Sequence, residues 1–154
     1  MLEKEGVDCQ SLHVSTEDPS GHAVIQVCSN NGENSILLFP GANFKNTRDE
    51  MRQAVDRMDA GDILLMQNEI NQPEELLQIA AQKKLRIFWN PAPMTPDVVH
   101  CPLDLVDCLI VNEIEAAQLA GIPLTPDNRK SLIRIAEILQ NKAKQADLVI
   151  TLGA

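Results

Sequence analysis

Apolar and polar positions change their rhythm along this chain, and the rhythm predicts its elements. His22 to Cys28 alternates Ala23, Ile25 and Val27 with His22, Val24 and Gln26, the period of a β-strand. Ser29-Asn30-Asn31-Gly32 follows with turn chemistry, because Asn and Gly tolerate positive φ. Asn34 to Phe39 reads as a second strand, so the two form a hairpin closed by Pro40-Gly41. From Thr47 the period becomes helical. Met51, Ala54, Val55 and Met58 share one helix face behind a Thr47–Glu50 capping-box spacing, and Gly61 is placed to end that helix.

Helices and short apolar runs then take turns. Ile63 to Gln67 is a continuous apolar run, as expected of a strand buried on both faces. Pro73 opens a helix with Leu76, Leu77 and Ala80 turned inward. Leu85 to Trp89 is the next strand, stopped by Asn90-Pro91-Ala92-Pro93, and Cys108 to Val111 is a third. A helix from Glu113 to about Ala120 ends at Gly121. Thr125-Pro126 starts a longer one with Leu132, Ile135, Ala136 and Leu139 along its face, and Leu148 to Thr151 is a fourth strand. This succession predicts an α/β domain with a doubly wound, mostly parallel sheet. The hairpin stands outside the succession and reads as a small β lid. Residues 1–45 are thus expected to form lid and hinge, and 46–154 the α/β core.

Composition sets limits on what such a domain can do. The 154 residues make one ordinary domain, with 44% hydrophobic and 23% charged residues. No apolar run reaches the roughly 20 residues of a membrane span, and Met1 to Asp8 is too polar for a secretory signal. A cytoplasmic protein without a membrane partner is expected. Thirteen Lys and Arg against 22 Asp and Glu give a net charge of −9, and aromatics are 3%. Such a surface neither neutralises phosphates nor stacks bases, so no nucleic-acid partner is expected. Cys9, Cys28, Cys101 and Cys108 contain no Cys-x-x-Cys pair and complete no zinc pattern with His13, His22 or His100. They read as reduced thiols, with Cys28 and Cys108 acting as small hydrophobes inside apolar runs.

Ligands of open α/β sheets bind beyond the carboxyl ends of the strands. Here those ends deliver Glu69, Asn90, Asn112 and the Thr151-Leu152-Gly153 turn to one edge. A carboxylate, amides and a Gly-containing turn suit hydroxyls and phosphates. Each also has a plainer reading. Asn112 and Glu115 have the spacing of a helix cap, or Glu115 helps hold a magnesium water shell near a phosphate. Glu69 is either a solvated loop carboxylate or a hydroxyl acceptor, and Thr151 to Gly153 either a simple strand-end turn or a nucleotide loop. The chain has no P-loop, no Gly-x-Gly-x-x-Gly and no Gly-x-Ser-x-Gly.

Five collinear stretches resemble the phosphofructokinase-B (carbohydrate kinase) family. They are Ser20 to Val27; Gly32-Glu33-Asn34-Ser35-Ile36 running to Gly41-Ala42-Asn43; Leu64-Leu65-Met66-Gln67-Asn68-Glu69; Asn90-Pro91-Ala92-Pro93 followed by Asn112-Glu113-Ile114-Glu115; and Thr151-Leu152-Gly153. They are most similar to the family's ribose-phosphorylating branch. The resemblance implies a Rossmann-like, ribokinase-like fold and ATP-dependent phosphorylation of a sugar, ribose to ribose 5-phosphate, within a complete kinase. It implies ATP and Mg2+ as cofactors and leaves room for a monovalent cation.

The resemblance also implies roles. Glu69 binds a sugar hydroxyl, and Ala23, Ile25 and Leu38 face the sugar from the lid. Asn112, Thr151, Leu152 and Gly153 contact ATP, while Glu115 is the metal-associated carboxylate of the family's Asn-x-x-Glu motif. The lid pairs between subunits in a homodimer. The family's first strand, its sugar-binding Asp and its Gly-Gly-Lys segment have no counterpart here, nor does the Gly-Ala-Gly-Asp motif that carries the general base. A central kinase segment, inactive and aggregation-prone by itself, is therefore expected, with the base beyond the chain. Two other readings stay open: a kinase of the same family for another carbohydrate or a nucleoside, and a non-catalytic binding or interaction module.

Overall fold

The computed structural model describes residues 1–125 and 128–152. Two antiparallel strands, β1 (His22–Val27) and β2 (Asn34–Phe39), form the hairpin. After it come α1 (Arg48–Asp56), β3 (Ile63–Gln67), α2 (Pro73–Gln82), β4 (Arg86–Asn90), β5 (Cys108–Asn112), α3 (Glu113–Ala120), α4 (Asn128–Ala143) and β6 (Asp147–Thr151). Strands β3-β4-β5-β6 lie side by side in that order, all parallel, and the hairpin is a separate sheet. The parallel α/β core with an outlying hairpin is the architecture the sequence predicts.

Local chemistry accounts for most boundaries. Thr47 caps α1: the Glu50 N–H donates to Thr47 Oγ1 (3.3 Å), and Glu50 Oε2 accepts from the Thr47 N–H (2.7 Å). The helix stops at Asp56, well before Gly61, because the Met58 N–H turns back to the Val55 carbonyl (3.0 Å) and tightens the last turn. Pro126, expected to open α4, lies outside the described residues. An N-terminal segment is pinned to α1 by Arg57–Asp8 (2.9 Å) and His13–Glu50 (3.2 Å). Arg48 pairs with Glu75 (2.7 Å) and joins α1 to α2.

Strand register sorts the main sheet into two unlike faces. Leu64, Met66, Ile87, Trp89, Leu109, Val111, Leu148 and Ile150 line one, and each is buried or half-buried. They join Val55, Leu77, Ala80, Ala116, Leu119, Ile135 and Leu139 from the four helices in one core. The other face carries Ile63 at 53% exposure, Leu65 at 71% and Val149 at 44%. Reading the Ile63–Gln67 run as a strand buried on both faces is thus corrected, while the expectation that a segment without the family's first strand exposes apolar surface on Ile63 to Met66 and around Val149 agrees with these exposures. Among the described residues β3 is an edge strand with a neighbour on one side, and a continuous apolar run does not reveal how many faces are covered. No helix among the described residues is long and apolar enough to cross a membrane.

The two ends of the hairpin meet backbone against backbone. Gly41, buried with φ +50°, leaves no room for a Cβ beside the Pro19 carbonyl, which accepts from the Ala42 N–H (2.9 Å). A Cβ on Gly21 would stand 2.7 Å from the Pro40 carbonyl oxygen and against the Asn43 carboxamide. Only glycine fits either side of this hinge.

Candidate functional site

Because β3 to β6 run parallel, their carboxyl ends form one rim. Gln67 lies opposite Asn90, and Asn112 opposite Thr151. Side chains run along it: Gln67 Nε2 donates to Asn90 Oδ1 (2.9 Å), and Asn90 Nδ2 donates to the Ile110 carbonyl (2.8 Å). Thr151 Oγ1 donates to the Val111 carbonyl at 3.5 Å. The rim expected from strand ends alone is present.

At the β3 end, the hairpin closes over a cavity of about 420 Å³. Ala23 and Leu38 are partners across the hairpin, and both line this cavity together with Asn43, Asn68 and Glu69. Pairing with Ile36 puts Ile25 on the same hairpin face, but the cavity stops short of it and Ile25 is 59% exposed. The Glu69 side chain is exposed and makes no hydrogen bond or ion pair among the described residues, so its oxygens are open to a ligand. Its backbone is held from the preceding residue. Asn68 is buried; its N–H donates to the Ala92 carbonyl (2.9 Å) and its Nδ2 to the Pro93 carbonyl (2.7 Å).

At the other end, Asn112 and Glu115 form a reciprocal cap on α3. Asn112 Oδ1 accepts from the N–H groups of Ile114 (2.9 Å) and Glu115 (2.8 Å), and Glu115 Oε2 accepts from the Asn112 N–H (2.9 Å). The structural reading of this pair therefore holds; it also fixes where the Glu115 carboxylate stands. Thr151 ends β6 beside Asn112, Leu152 follows it exposed, and Gly153 lies outside the described residues. Among the described residues no three or more His, Cys, Asp or Glu side chains gather as a metal cluster. The rim offers magnesium single carboxylates, which suits an ion that keeps most of its waters and binds phosphates.

The family profile of the pfkB carbohydrate kinases matches residues 1–154. The chain belongs to the pfkB family of carbohydrate kinases. Among curated pfkB relatives, Haemophilus influenzae ribokinase is 32% identical over 155 residues, covering 98% of this chain and 48% of the relative. Schizosaccharomyces pombe ribokinase is 30% identical over 155 residues, covering 99% and 48%. A solved ribokinase from Cryptococcus neoformans in complex with ADP superposes with a TM-score of 0.79 at 28% identity, over 100% of this chain and 51% of that one. Arabidopsis thaliana ribokinase complexed with ribose and ATP superposes at 0.59 and 26% identity, over 89% and 44%. The chain spans about half the length of the curated relatives it matches.

Within this pfkB chain, the structure brings Glu69, Ala23 and Leu38 to one cavity and Asn112, Glu115, Thr151 and Leu152 to the far part of the rim. Asn43 and Asn68 also line the cavity; both stand in stretches that carry the family resemblance, yet neither was given a role from the sequence. Asn68 is moreover a polar residue just beyond an apolar strand, the position where ligand contacts gather. The cysteines take no part. Cys101 and Cys108 are buried, and burial, with Glu74 and Asp97 nearby, pushes the Cys101 thiol up to about 11. Cys28, expected to pack as a hydrophobe, is exposed, because the hairpin end that carries it has no layer against it.

Proposed function

We propose that this chain forms the sugar pocket and part of the nucleotide rim of an ATP-dependent sugar kinase, with ribose as substrate and its 5-hydroxyl as acceptor. The observation that carries the reading is the meeting of Ala23 and Leu38 from the hairpin with Glu69 from the β3 end around one cavity. An apolar wall over an unpartnered carboxylate suits a pentose, whose ring carbons pack against alkyl groups while its hydroxyls donate to the carboxylate. Asn112, Thr151, Leu152 and Gly153 would contact ATP at the far rim. Glu115 would hold the water shell of the magnesium, which when bound neutralises charge on the phosphates.

In the reaction the sugar hydroxyl oxygen attacks the γ-phosphorus, the bond to ADP breaks, and the hydroxyl proton passes to a general base. No Gly-Ala-Gly-Asp motif for that base occurs in these 154 residues. A homodimer paired through the hairpin, in the cytoplasm, completes the reading. The relatives named as ribokinases, and the ribose and ATP complex among the solved structures, support the choice of sugar and nucleotide. Calorimetric titration of ribose, fructose and a nucleoside into the protein tests it. Ribose should bind tightest, and Glu69→Gln should weaken it by about tenfold or more through loss of charge-assisted hydrogen bonds. Equal ribose affinity in Glu69→Gln would remove Glu69 from the site, and preference for another ligand would reassign the substrate.

A further inference from the structure

Glu69 and the hairpin base belong to segments 25 residues apart in sequence, and one carboxamide links them. Asn71 Oδ1 accepts from the Asn46 N–H (3.1 Å), and Asn71 Nδ2 donates to the Asn46 carbonyl (2.8 Å). A side-chain amide thus pairs with one residue's backbone as a neighbouring peptide unit would in a sheet. Three further bonds converge there. Asn46 Nδ2 donates to Asn71 Oδ1 (3.2 Å) and to the Asn43 carbonyl (2.6 Å), and Gln72 Nε2 donates to the Asn46 carbonyl (3.3 Å).

Gln72 supplies an independent sign that this junction is held in a set geometry. It sits in the left-handed region at φ 55° and ψ 48°, which disfavours a residue with a Cβ, and it does so at the start of α2 while its side chain reaches Asn46. The consequence lies in what the two segments carry. Asn43 lines the cavity and packs against the hinge at Gly21, and Glu69 stands two residues before Asn71. Asn68 already fixes the other side of Glu69 to the loop after β4.

We infer that Asn71 is a positioning residue: its carboxamide, through the backbone of Asn46, locks the hairpin base to the Glu69 loop so that both walls of the cavity keep one separation. This rests on the sugar-pocket reading only for its effect on affinity; the mechanical link stands on the hydrogen bonds. A cavity whose walls are independently mobile must be ordered by its ligand, which lowers affinity. The link removes that cost before the sugar arrives.

Amide hydrogen exchange with and without ribose, combined with calorimetry, tests the link. Asn71→Leu keeps the shape and removes both backbone bonds. It should raise exchange in residues 41–46 and in the hairpin by about tenfold or more while β4 and β5 stay protected, and should weaken ribose by a similar factor. Asn71→Asp keeps the acceptor and loses the donor, so it should fall between wild type and Asn71→Leu on both scales. Asn46→Ala, which spares the backbone pairing, should loosen residues 41–46 less than Asn71→Leu and serves if the latter does not fold. Exchange raised evenly through β4 and β5, or unchanged in residues 41–46, would overturn the link. Should wild type take up no ribose, the sugar-pocket reading falls while the exchange pattern still decides the coupling.

Discussion

Ala23 and Leu38 face each other across the hairpin, and the cavity they line is bordered by Glu69 from beyond the end of β3. This places an apolar wall opposite an unpartnered carboxylate. The wall is made by a two-stranded sheet outside the core, so it can be altered without cost to the fold. Ala23→Phe should fill part of the roughly 420 Å³ and reduce ribose affinity at least tenfold, with stability changed by no more than about 0.5 kcal/mol. Calorimetry and thermal melts on the same preparation check it; undiminished ribose binding would detach the hairpin from the pocket.

In the proposed function Glu115 performs two separable tasks. As a cap it needs only an oxygen that accepts from the Asn112 N–H. Glu115→Gln keeps that oxygen and should leave stability nearly unchanged, whereas Asn112→Ala removes the acceptor for two α3 amides and should cost about 1 kcal/mol. Magnesium-dependent ATP binding should nevertheless fall in Glu115→Gln, since the charge is gone. Urea melts alongside nucleotide titration with and without magnesium separate the two tasks, and equal magnesium dependence in both proteins would leave Glu115 as a cap alone.

Acid should weaken the start of α1 in a defined way. The Glu50 carboxyl is held below the ordinary Glu range, first by the Thr47 N–H, then by the Thr47 hydroxyl, with a smaller contribution from His13. A lowered carboxyl pKa contributes stability that is fully present above the unfolded value and lost as pH falls through the folded one. Thr47→Ala removes the hydroxyl's share of that stabilisation together with the Oγ1 cap on the Glu50 N–H, so its stability deficit should be largest at neutral pH and narrow as pH falls through the lowered carboxyl pKa, leaving the charge-independent cap contribution in acid. Denaturation curves of both proteins across the acid range give the answer. A deficit that does not change with pH would leave the Thr47 hydroxyl as a cap with no part in holding the Glu50 charge.

Leu65 lies 71% exposed on the open sheet face, on an edge strand, beside Ile63 and in the same layer as Val149. An apolar parallel edge of this kind recruits other chains. The 154-residue chain alone should bind a hydrophobic dye and self-associate. Leu65→Lys should reduce both, because charge on an edge strand opposes pairing. Light scattering against concentration measures it; a sharp, reversible melt with low dye binding in the unaltered chain would contradict the expectation.

What the sequence determined by itself was set by neighbours in the chain. The Thr47–Glu50 and Asn112–Glu115 boxes, the exact span of α3 and the paired strands of the hairpin follow from spacings of a few residues, because helix and strand periods are local. The rim bearing Asn90, Asn112 and Thr151 followed from the same local pattern, since parallel strands must end on one side. Tertiary structure alone decided that the cavity takes in Ala23 and Leu38 but not Ile25, and that Asn71 grips the backbone of Asn46. Those depend on which distant segments lie side by side. An asparagine that bonds a backbone 25 residues away carries no mark distinguishing it from one that faces water.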